Sequence, residues 1–117
     1  MSETVILSAV RSPIGRFLGG FSNTTATDLG AKVAQSALEG IDPSVVDEAL
    51  MGCVLQAGLG QNPARQIALG AGCPDHVTAM TINKVCGSGL EAAMQADRAI
   101  RCRDARVVLC GGAENMT

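Results

Sequence analysis

The sequence predicts an α/β protein with a largely parallel sheet and helices on its faces. Short aliphatic segments alternate with longer segments that carry helical spacing and helix-capping residues. Glycine or proline separates most of these segments. The resulting order, β-α-β-α-β-α-β, is typical of parallel strands joined by crossover helices, and 117 residues suit one modest domain.

The first predicted strand is TVILSAV at 4–10, and the first predicted helix is 27–40. The strand is rich in aliphatic residues and stops at the Arg-Ser-Pro sequence that ends with Pro13. In the helix, Thr27 suits the N-cap, the next aspartate suits the positive N-terminal end, and Gly40 suits the C-terminal end.

The middle of the chain predicts a strand followed by a helix that starts with proline. A turn at Pro43 leads into an apolar strand at 48–55. The helix covers 61–72, where Asn62 suits the N-cap, the following proline suits the first turn, and two glycines, the second being Gly72, close the helix.

The last third of the chain predicts a strand at 79–85, a helix at 87–101 and a strand at 105–112. The helix residues are mostly small and apolar and cover more than one narrow stripe, so we expect this helix to be buried on several sides. Reactive groups gather at the carboxyl ends of parallel strands, and Cys86 follows such an end.

The composition excludes several classes of function. Hydrophobic residues make up 47% and charged residues 17%, as in globular rather than disordered chains. The net charge of −2 and the lack of a basic cluster argue against a nucleic-acid partner. No basic segment precedes a long apolar one, and no apolar run is long enough to cross a bilayer, so we expect no membrane partner and a cytoplasmic location.

The chain has five cysteines, and their pattern disfavours a disulfide framework or a zinc site. The number is odd, and no pair has the Cys-x-x-Cys spacing. In a reducing compartment each cysteine is by default a small buried hydrophobic residue. The five are Cys53, Cys73, Cys86, Cys102 and Cys110.

The segment TINKVCGSGL, residues 81–90, places Cys86 between a predicted strand and a predicted helix. The N-terminal end of a helix stabilises a thiolate, which favours a nucleophilic Cys86, and the adjacent glycines leave room for a substrate. The Cys86 N–H is also suited to bind an oxyanion. Ser88 is a weaker candidate because the glycine that precedes the hydrolase serine by two residues is absent. The alternative is a tight helix start whose glycines serve packing.

Four blocks of sequence resemble the thiolases and follow the order found in that family: AVRSPIGRF, VLQAGLGQNPARQ, MTINKVCGSGL and GGAENM. The resemblance covers essentially the whole chain. It implies the thiolase fold, a layered αβαβα architecture, of which residues 1–117 supply most of the N-terminal half. The loop domain and the C-terminal half of the family have no counterpart in these residues.

The resemblance also implies a reaction. Cys86 matches the acyl-accepting nucleophile, which takes the acyl group of an acyl-CoA as a thioester, and a second acetyl-CoA then attacks as a carbanion to give a 3-ketoacyl-CoA. Thiolysis is the same path reversed. This implied acetyl-CoA C-acetyltransferase activity belongs to fatty acid metabolism, uses coenzyme A thioesters as substrates, and needs no metal or redox cofactor. Complete members of the family form homodimers or homotetramers.

Other catalytic blocks of the family, which carry a histidine, a second cysteine and an asparagine, lie beyond residue 117. His76 matches none of them, and we expect it to have a structural or surface role. Cys110 is followed by two glycines like the second catalytic cysteine, but it falls in a different block, and we expect it to be a buried strand residue. We interpret Cys53, Cys73 and Cys102 as packing residues.

The remaining blocks predict supporting roles. Arg65 lies near a helix start, where we expect helix packing or an interface role. In thiolases the strand before the nucleophile lies at a sheet edge and pairs with its equivalent in a second subunit, so Asn83 and Lys84 are expected at a dimer seam. Glu114 and Asn115 follow the last strand and are expected to support the active site.

Two alternatives stay open. A related condensing enzyme, such as a ketoacyl synthase, shares the fold and the nucleophilic cysteine, although NKVCGSG and GGAENM favour a thiolase. The second alternative is a non-catalytic fragment, or one subunit of a split enzyme that binds its missing half. It predicts no activity for the isolated chain and a tightly bound partner chain, because the groups that act with the nucleophile are absent.

Overall fold

The structure, a computed structural model, describes residues 3–117. Its strands are β1 (Glu48–Gly52), β2 (Thr78–Ile82) and β3 (Val108–Gly112). They form a parallel sheet in the order β2-β1-β3. In the middle of the sheet, Leu50 lies opposite Met80 on one side and opposite Cys110 on the other.

The helices α1 (Ala26–Ala37), α2 (Pro63–Gly70) and α3 (Ser88–Arg101) cover the two faces of this sheet. Helices α1 and α2 pack on the face that carries Ala49 and Met51, whereas α3 packs on the face that carries Leu50. Successive strand residues point to opposite faces, which explains this division. The predicted α/β architecture, with a parallel sheet between helices, is confirmed.

The predicted N-cap Thr27 is wrong, and Thr25 caps the first helix instead. The Thr25 hydroxyl accepts the N–H of Asp28 at 3.1 Å, while Thr27 lies inside the helix and is buried. The helix therefore starts one residue earlier than predicted and ends at Ala37, before the predicted end at Gly40.

The predicted turn at Pro43 is a single 3-10 turn, and the predicted cap of the second helix is confirmed. The side-chain oxygen of Asn62 accepts the N–H of Arg65, and a proline occupies the first helical position. Gly70 is the last residue of α2, and Gly72 beyond it has a φ of +95°, a conformation that favours glycine.

The strands of the sheet are shorter than predicted because side chains accept the neighbouring backbone N–H groups. After β1, the Glu114 carboxylate accepts the N–H groups of Val54 and Leu55. After β2, the Ser88 hydroxyl accepts the N–H of Lys84. These N–H groups are satisfied outside the strand ladder, so the ladder ends. The sequence predicts these strands at 48–55, 79–85 and 105–112.

The predicted strand at 4–10 is not formed. A strand needs a neighbour that pairs with its N–H and C=O groups, and within residues 3–117 no strand lies beside this segment. Val5, Ile6 and Leu7 are exposed as a result. The order in the described part of the chain is therefore α-β-α-β-α-β.

The expectation that the third helix is buried on several sides is wrong. Its buried residues are Ser88, Ala92 and Ala96, which are spaced four apart and form one narrow stripe. Leu90 is 70% exposed and Met94 is 42% exposed. Helix α3 thus contacts the sheet through small residues, which lets it lie close to the strands and leaves its larger apolar side chains uncovered.

None of the helices between residues 3 and 117 is long and apolar enough to cross a membrane. Over the same range, no three His, Cys, Asp or Glu side chains come together in a way that could hold a metal ion.

Asp47 joins the amino ends of β1 and β3. Its carboxylate accepts the N–H of Arg106 at 2.7 Å and the N–H of Val107 at 3.1 Å, and these bonds hold the pKa of Asp47 below its ordinary value. The pKa of Asp47 is thus lower in the folded than in the unfolded protein. Its carboxylate therefore contributes its full stabilisation above the pKa of the unfolded state, and this contribution is lost as the pH falls through the pKa of the folded state.

We therefore expect Asp47→Asn to lower the free energy of unfolding near neutral pH by about 1 kcal/mol, a modest value because the carboxylate is exposed. As the pH is lowered, the free energy of unfolding of the variant should also fall less than that of the wild type. Urea unfolding at a series of pH values measures both effects. Asp104→Asn, at an exposed carboxylate, is the control and should change neither. Identical pH profiles for the wild type and Asp47→Asn would contradict the prediction.

Candidate active site

The carboxyl ends of β1 and β3 meet the N-terminal end of α3 at a surface cavity. Both strands end there in glycine, at Gly52 and Gly112. This position matches the expectation that reactive groups gather at the carboxyl ends of parallel strands. The side chains that line the cavity belong to Val54, Val85, Cys86, Ser88, Ala113 and Glu114.

The glycines let the main chain of the strands touch the start of α3. A Cβ atom on Gly52 would lie 2.5 Å from the carbonyl carbon of Ser88 and 2.6 Å from the nitrogen of Gly89. A Cβ atom on Gly112 would lie 3.2 Å from the carbonyl oxygen of Gly52. The part of the cavity that Gly52, Gly89 and Gly112 line, here called its floor, is therefore built from backbone rather than from side chains.

Cys86 lies in the turn between β2 and α3 with an exposed side chain. Strand β2 ends at Ile82, so the prediction that Cys86 directly ends a strand is wrong. Only the N-cap Gly87 separates Cys86 from Ser88, the first helical residue, so its expected place at a helix N-terminus is confirmed. Within residues 3–117 the Cys86 N–H has no hydrogen-bond acceptor, which leaves it available to an oxyanion.

Asn83 and Lys84 form their contacts within the same turn and helix. The Asn83 side-chain oxygen accepts the N–H of Val85 at 3.0 Å, and the Lys84 ammonium pairs with Glu91 at 3.1 Å. The Lys84 side chain is 64% exposed, so this ion pair adds little stability. The expectation that Asn83 and Lys84 lie at a dimer seam stays a prediction.

Glu114 follows β3 and lines the cavity. Its two carboxylate oxygens accept the N–H of Val54 at 2.9 Å and the N–H of Leu55 at 2.8 Å, which fixes the turn after β1. Asn115 donates from its side-chain nitrogen to the carbonyl oxygen of Phe21 at 3.0 Å and so holds a second loop. Glu114 thus holds a loop that lines the cavity, whereas Asn115 holds the loop at Phe21, which does not line it. The expectation that both residues support an active site stays a prediction.

The other four cysteines divide into a buried pair and an exposed pair. Cys53 and Cys73 are buried as predicted, and burial raises the pKa of both thiols. Cys102 and Cys110 are exposed, so the expected packing role of Cys102 and the expected burial of Cys110 are wrong, whereas the expected place of Cys110 in a strand is confirmed. Cys102 caps the C-terminal end of α3, and Cys110 lies on the edge strand β3. Desolvation by the surrounding atoms still raises the pKa of the Cys110 thiol, which disfavours its thiolate.

His76 and Arg65 lie away from the cavity. His76 is exposed and precedes β2, whose five residues span about 16 Å, so His76 and Cys86 are at opposite ends of the sheet. The Arg65 guanidinium donates to the carbonyl oxygens of Asp75 at 3.2 Å and Val77 at 2.7 Å. Arg65 therefore ties α2 to the loop before β2, which is the expected helix-packing role.

Two residues of the site have structural roles that the sequence-based predictions do not include. Gly52 is needed for the close approach of α3, and no local motif marks it. The buried Ser88 hydroxyl is bonded to the backbone at both Lys84 and Val85. Its place as the first residue of a helix is a local signal for such bonds, because serine often binds nearby backbone groups at helix starts.

Comparison with known proteins gives consistent matches. Residues 4–117 match the sequence model of the family described as thiolase, N-terminal domain. The chain is 54% identical to an acetyl-CoA acetyltransferase of Cupriavidus necator and 51% identical to proteins of the same name from Pseudomonas aeruginosa and Escherichia coli. Each alignment covers 100% of this chain and 30% of the relative, so the chain spans about a third of the length of these curated relatives.

Proposed function

Since this chain belongs to the thiolase family and matches its N-terminal domain, we propose that the protein is an acetyl-CoA C-acetyltransferase. The proposed reaction is the condensation of two acyl-CoA thioesters to a 3-ketoacyl-CoA, or the reverse thiolysis. The observation that carries the proposal is the exposed Cys86 thiol at the N-terminal end of α3, beside a cavity with a backbone floor. The names of the similar proteins support acetyl-CoA as the substrate.

The first proposed step forms a thioester on Cys86. The thiolate attacks the carbonyl carbon of acetyl-CoA, and the carbon–sulfur bond to coenzyme A then breaks and releases its thiolate, which takes up a proton. The Cys86 sulfur lies at the N-terminal end of α3, and in the proposed step the Cys86 N–H donates to the oxyanion. In the second step a base outside the described residues takes a proton from the methyl carbon of another acetyl-CoA, the resulting carbanion attacks the carbonyl carbon of the Cys86 thioester, and the Cys86 thiolate leaves.

A group from outside the described residues is proposed to take the proton from Cys86. His76 is the only histidine of the sequence, and it lies at the opposite end of the sheet. Glu114 shares the cavity, but its carboxylate is engaged by Val54 and Leu55. We therefore propose that another part of the protein, or a partner chain, supplies the base, and that residues 1–117 alone do not turn over. A chain that spans 30% of its relatives fits this division.

We further propose that acyl-CoA and coenzyme A are the small-molecule partners and that the reaction uses no metal or redox cofactor. Acyl transfer between thiols moves no electrons between redox centres, and the thioester carbonyl itself stabilises the carbanion. A homodimer or homotetramer in the cytoplasm is proposed as the complete assembly. The position of β2 at the edge of the sheet supports it, because the free N–H and C=O groups of an edge strand pair readily with another strand.

Incubation of the protein, purified at its native length, with acetyl-CoA tests this function. We expect one acetyl group per chain, mapped by mass spectrometry to the peptide that contains Cys86, and release of an equal amount of coenzyme A. The 117-residue chain alone is expected to give no turnover in the same assay. Absence of an adduct on the native-length protein, or an adduct on Cys110, would contradict the proposal.

A further inference from the structure

Val85, the residue before Cys86, has a left-handed backbone conformation with a φ of +48°. A β-branched residue rarely adopts this conformation, and such strain persists only where the surroundings hold it in place. The Val85 side chain is 65% exposed, so packing of that side chain does not stabilise the conformation. The backbone groups around Val85 must therefore be held by their hydrogen bonds.

Ser88 supplies the hydrogen bonds on one side of the strained residue. Its hydroxyl donates to the carbonyl oxygen of Val85 at 2.6 Å and accepts the N–H of Lys84 at 2.8 Å. The Asn83 side-chain oxygen accepts the N–H of Val85 at 3.0 Å. Side chains thus bind both the N–H and the C=O of Val85, which fixes the peptide planes that lead into Cys86.

Ser88 is itself held by the end of the sheet. Its exposed fraction is 4%, and a Cβ atom on Gly52 would lie 2.7 Å from the Ser88 Cβ. This packing prevents the hydroxyl from turning to solvent and keeps it aimed at the turn. A continuous rigid contact therefore runs from β1 through Ser88 to the turn that carries Cys86.

We propose that Ser88 is a positioning residue that sets the direction of the Cys86 thiol and N–H through the strained turn at Val85. The inference rests on the proposed acyl transfer at Cys86. Without the Ser88 hydroxyl, Val85 relaxes toward negative φ, and the sulfur and N–H of Cys86 no longer approach the same carbonyl group. Acyl transfer needs both groups on one carbonyl, whereas simple alkylation needs the sulfur alone.

The variant Ser88→Ala separates these two requirements. In the protein at native length, we compare acetylation of Cys86 by acetyl-CoA and by S-phenyl thioacetate with alkylation by iodoacetamide. We expect acetylation by both thioesters to slow about 10-fold or more, while alkylation changes by less than about twofold. Adding Val85→Gly should return acetylation to within about threefold of the wild type, because glycine adopts positive φ without strain. A general loss of stability does not predict this rescue.

Ser36→Ala, at an exposed serine on α1, is the matched control and should keep all three rates. Equal acetylation of the wild type and Ser88→Ala by S-phenyl thioacetate overturns the inference, as does a parallel loss of acetylation and alkylation. If Ser88→Ala does not fold, Asn83→Ala removes the other side-chain hydrogen bond to Val85, and the same outcomes support or overturn the inference. If the wild type reacts with S-phenyl thioacetate but not with acetyl-CoA, the proposed function is wrong. The role of Ser88 is then decided by comparing the wild type and Ser88→Ala in acetylation by S-phenyl thioacetate.

Discussion

Replacing Cys86 with serine is expected to abolish acetyl uptake from acetyl-CoA and to lower turnover by at least about 10,000-fold. A hydroxyl is a far weaker nucleophile than a thiolate at neutral pH, and the end of a helix does not ionise it. Because the Cys86 side chain is exposed, the free energy of unfolding should change by less than about 0.5 kcal/mol. Intact mass after incubation with acetyl-CoA, steady-state turnover and urea unfolding measure the three effects.

Cys110→Ser is the matched control for this experiment. Cys110 is also exposed and is also followed by glycine, but it lies on β3 and its thiol has a raised pKa. We expect this variant to keep the acetyl adduct and the turnover. An adduct that survives in Cys86→Ser, or that disappears in Cys110→Ser, would falsify the assignment of Cys86 as the nucleophile.

An alanine at Gly52 is expected to lower the free energy of unfolding by about 3 kcal/mol. The new Cβ would lie 2.5 Å from the carbonyl carbon of Ser88 and 2.6 Å from the nitrogen of Gly89. Both are backbone atoms at the start of a helix, so the contact is relieved only if α3 moves away from the end of β1. The same movement displaces the turn of Cys86, and acetylation should therefore slow together with the loss of stability.

Gly20→Ala is the control for the substitution at Gly52. A Cβ atom on Gly20 meets no atom within 4 Å, and its backbone does not require glycine. We expect this variant to match the wild type in urea unfolding and in acetylation by acetyl-CoA. A Gly52→Ala protein as stable as Gly20→Ala would show that α3 and the sheet tolerate separation, contrary to the prediction.

Hydrophobic periodicity predicts the sheet and its helices because it reports which face of each element is buried. It does not report where a strand ends when a distant side chain accepts the backbone N–H. Glu114 lies 60 residues from Val54, and Asp47 lies 59 residues from Arg106, so neither bond is visible in a local pattern. The segment 4–10 shows the related limit, since its composition suits a strand but a strand forms only beside a partner.

The candidate site is predictable to the extent that its chemistry is local. A cysteine ahead of glycines, between a strand and a helix, marks Cys86 from the sequence alone. Gly52 leaves no local mark, because only the approach of α3 in three dimensions explains it. Ser88 lies two residues from Cys86, yet its proposed positioning role depends on the positive φ of Val85. Valine rarely adopts a positive φ, so the sequence does not reveal this conformation.

A cavity floor made of main chain cannot be reshaped by exchanging side chains. Gly52, Gly89 and Gly112 present only backbone atoms there, and a larger residue at Gly52 displaces α3 rather than narrows the cavity. For the proposed acyl transfer, we therefore expect changes in which acyl group fits to arise at the rim, where Val54 and Ala113 contribute side chains, or in parts of the protein outside residues 3–117. In the proposed reaction, nucleophile placement and acyl-group selection are thereby carried by separate sets of residues, and selection can change without displacing the Cys86 thiol.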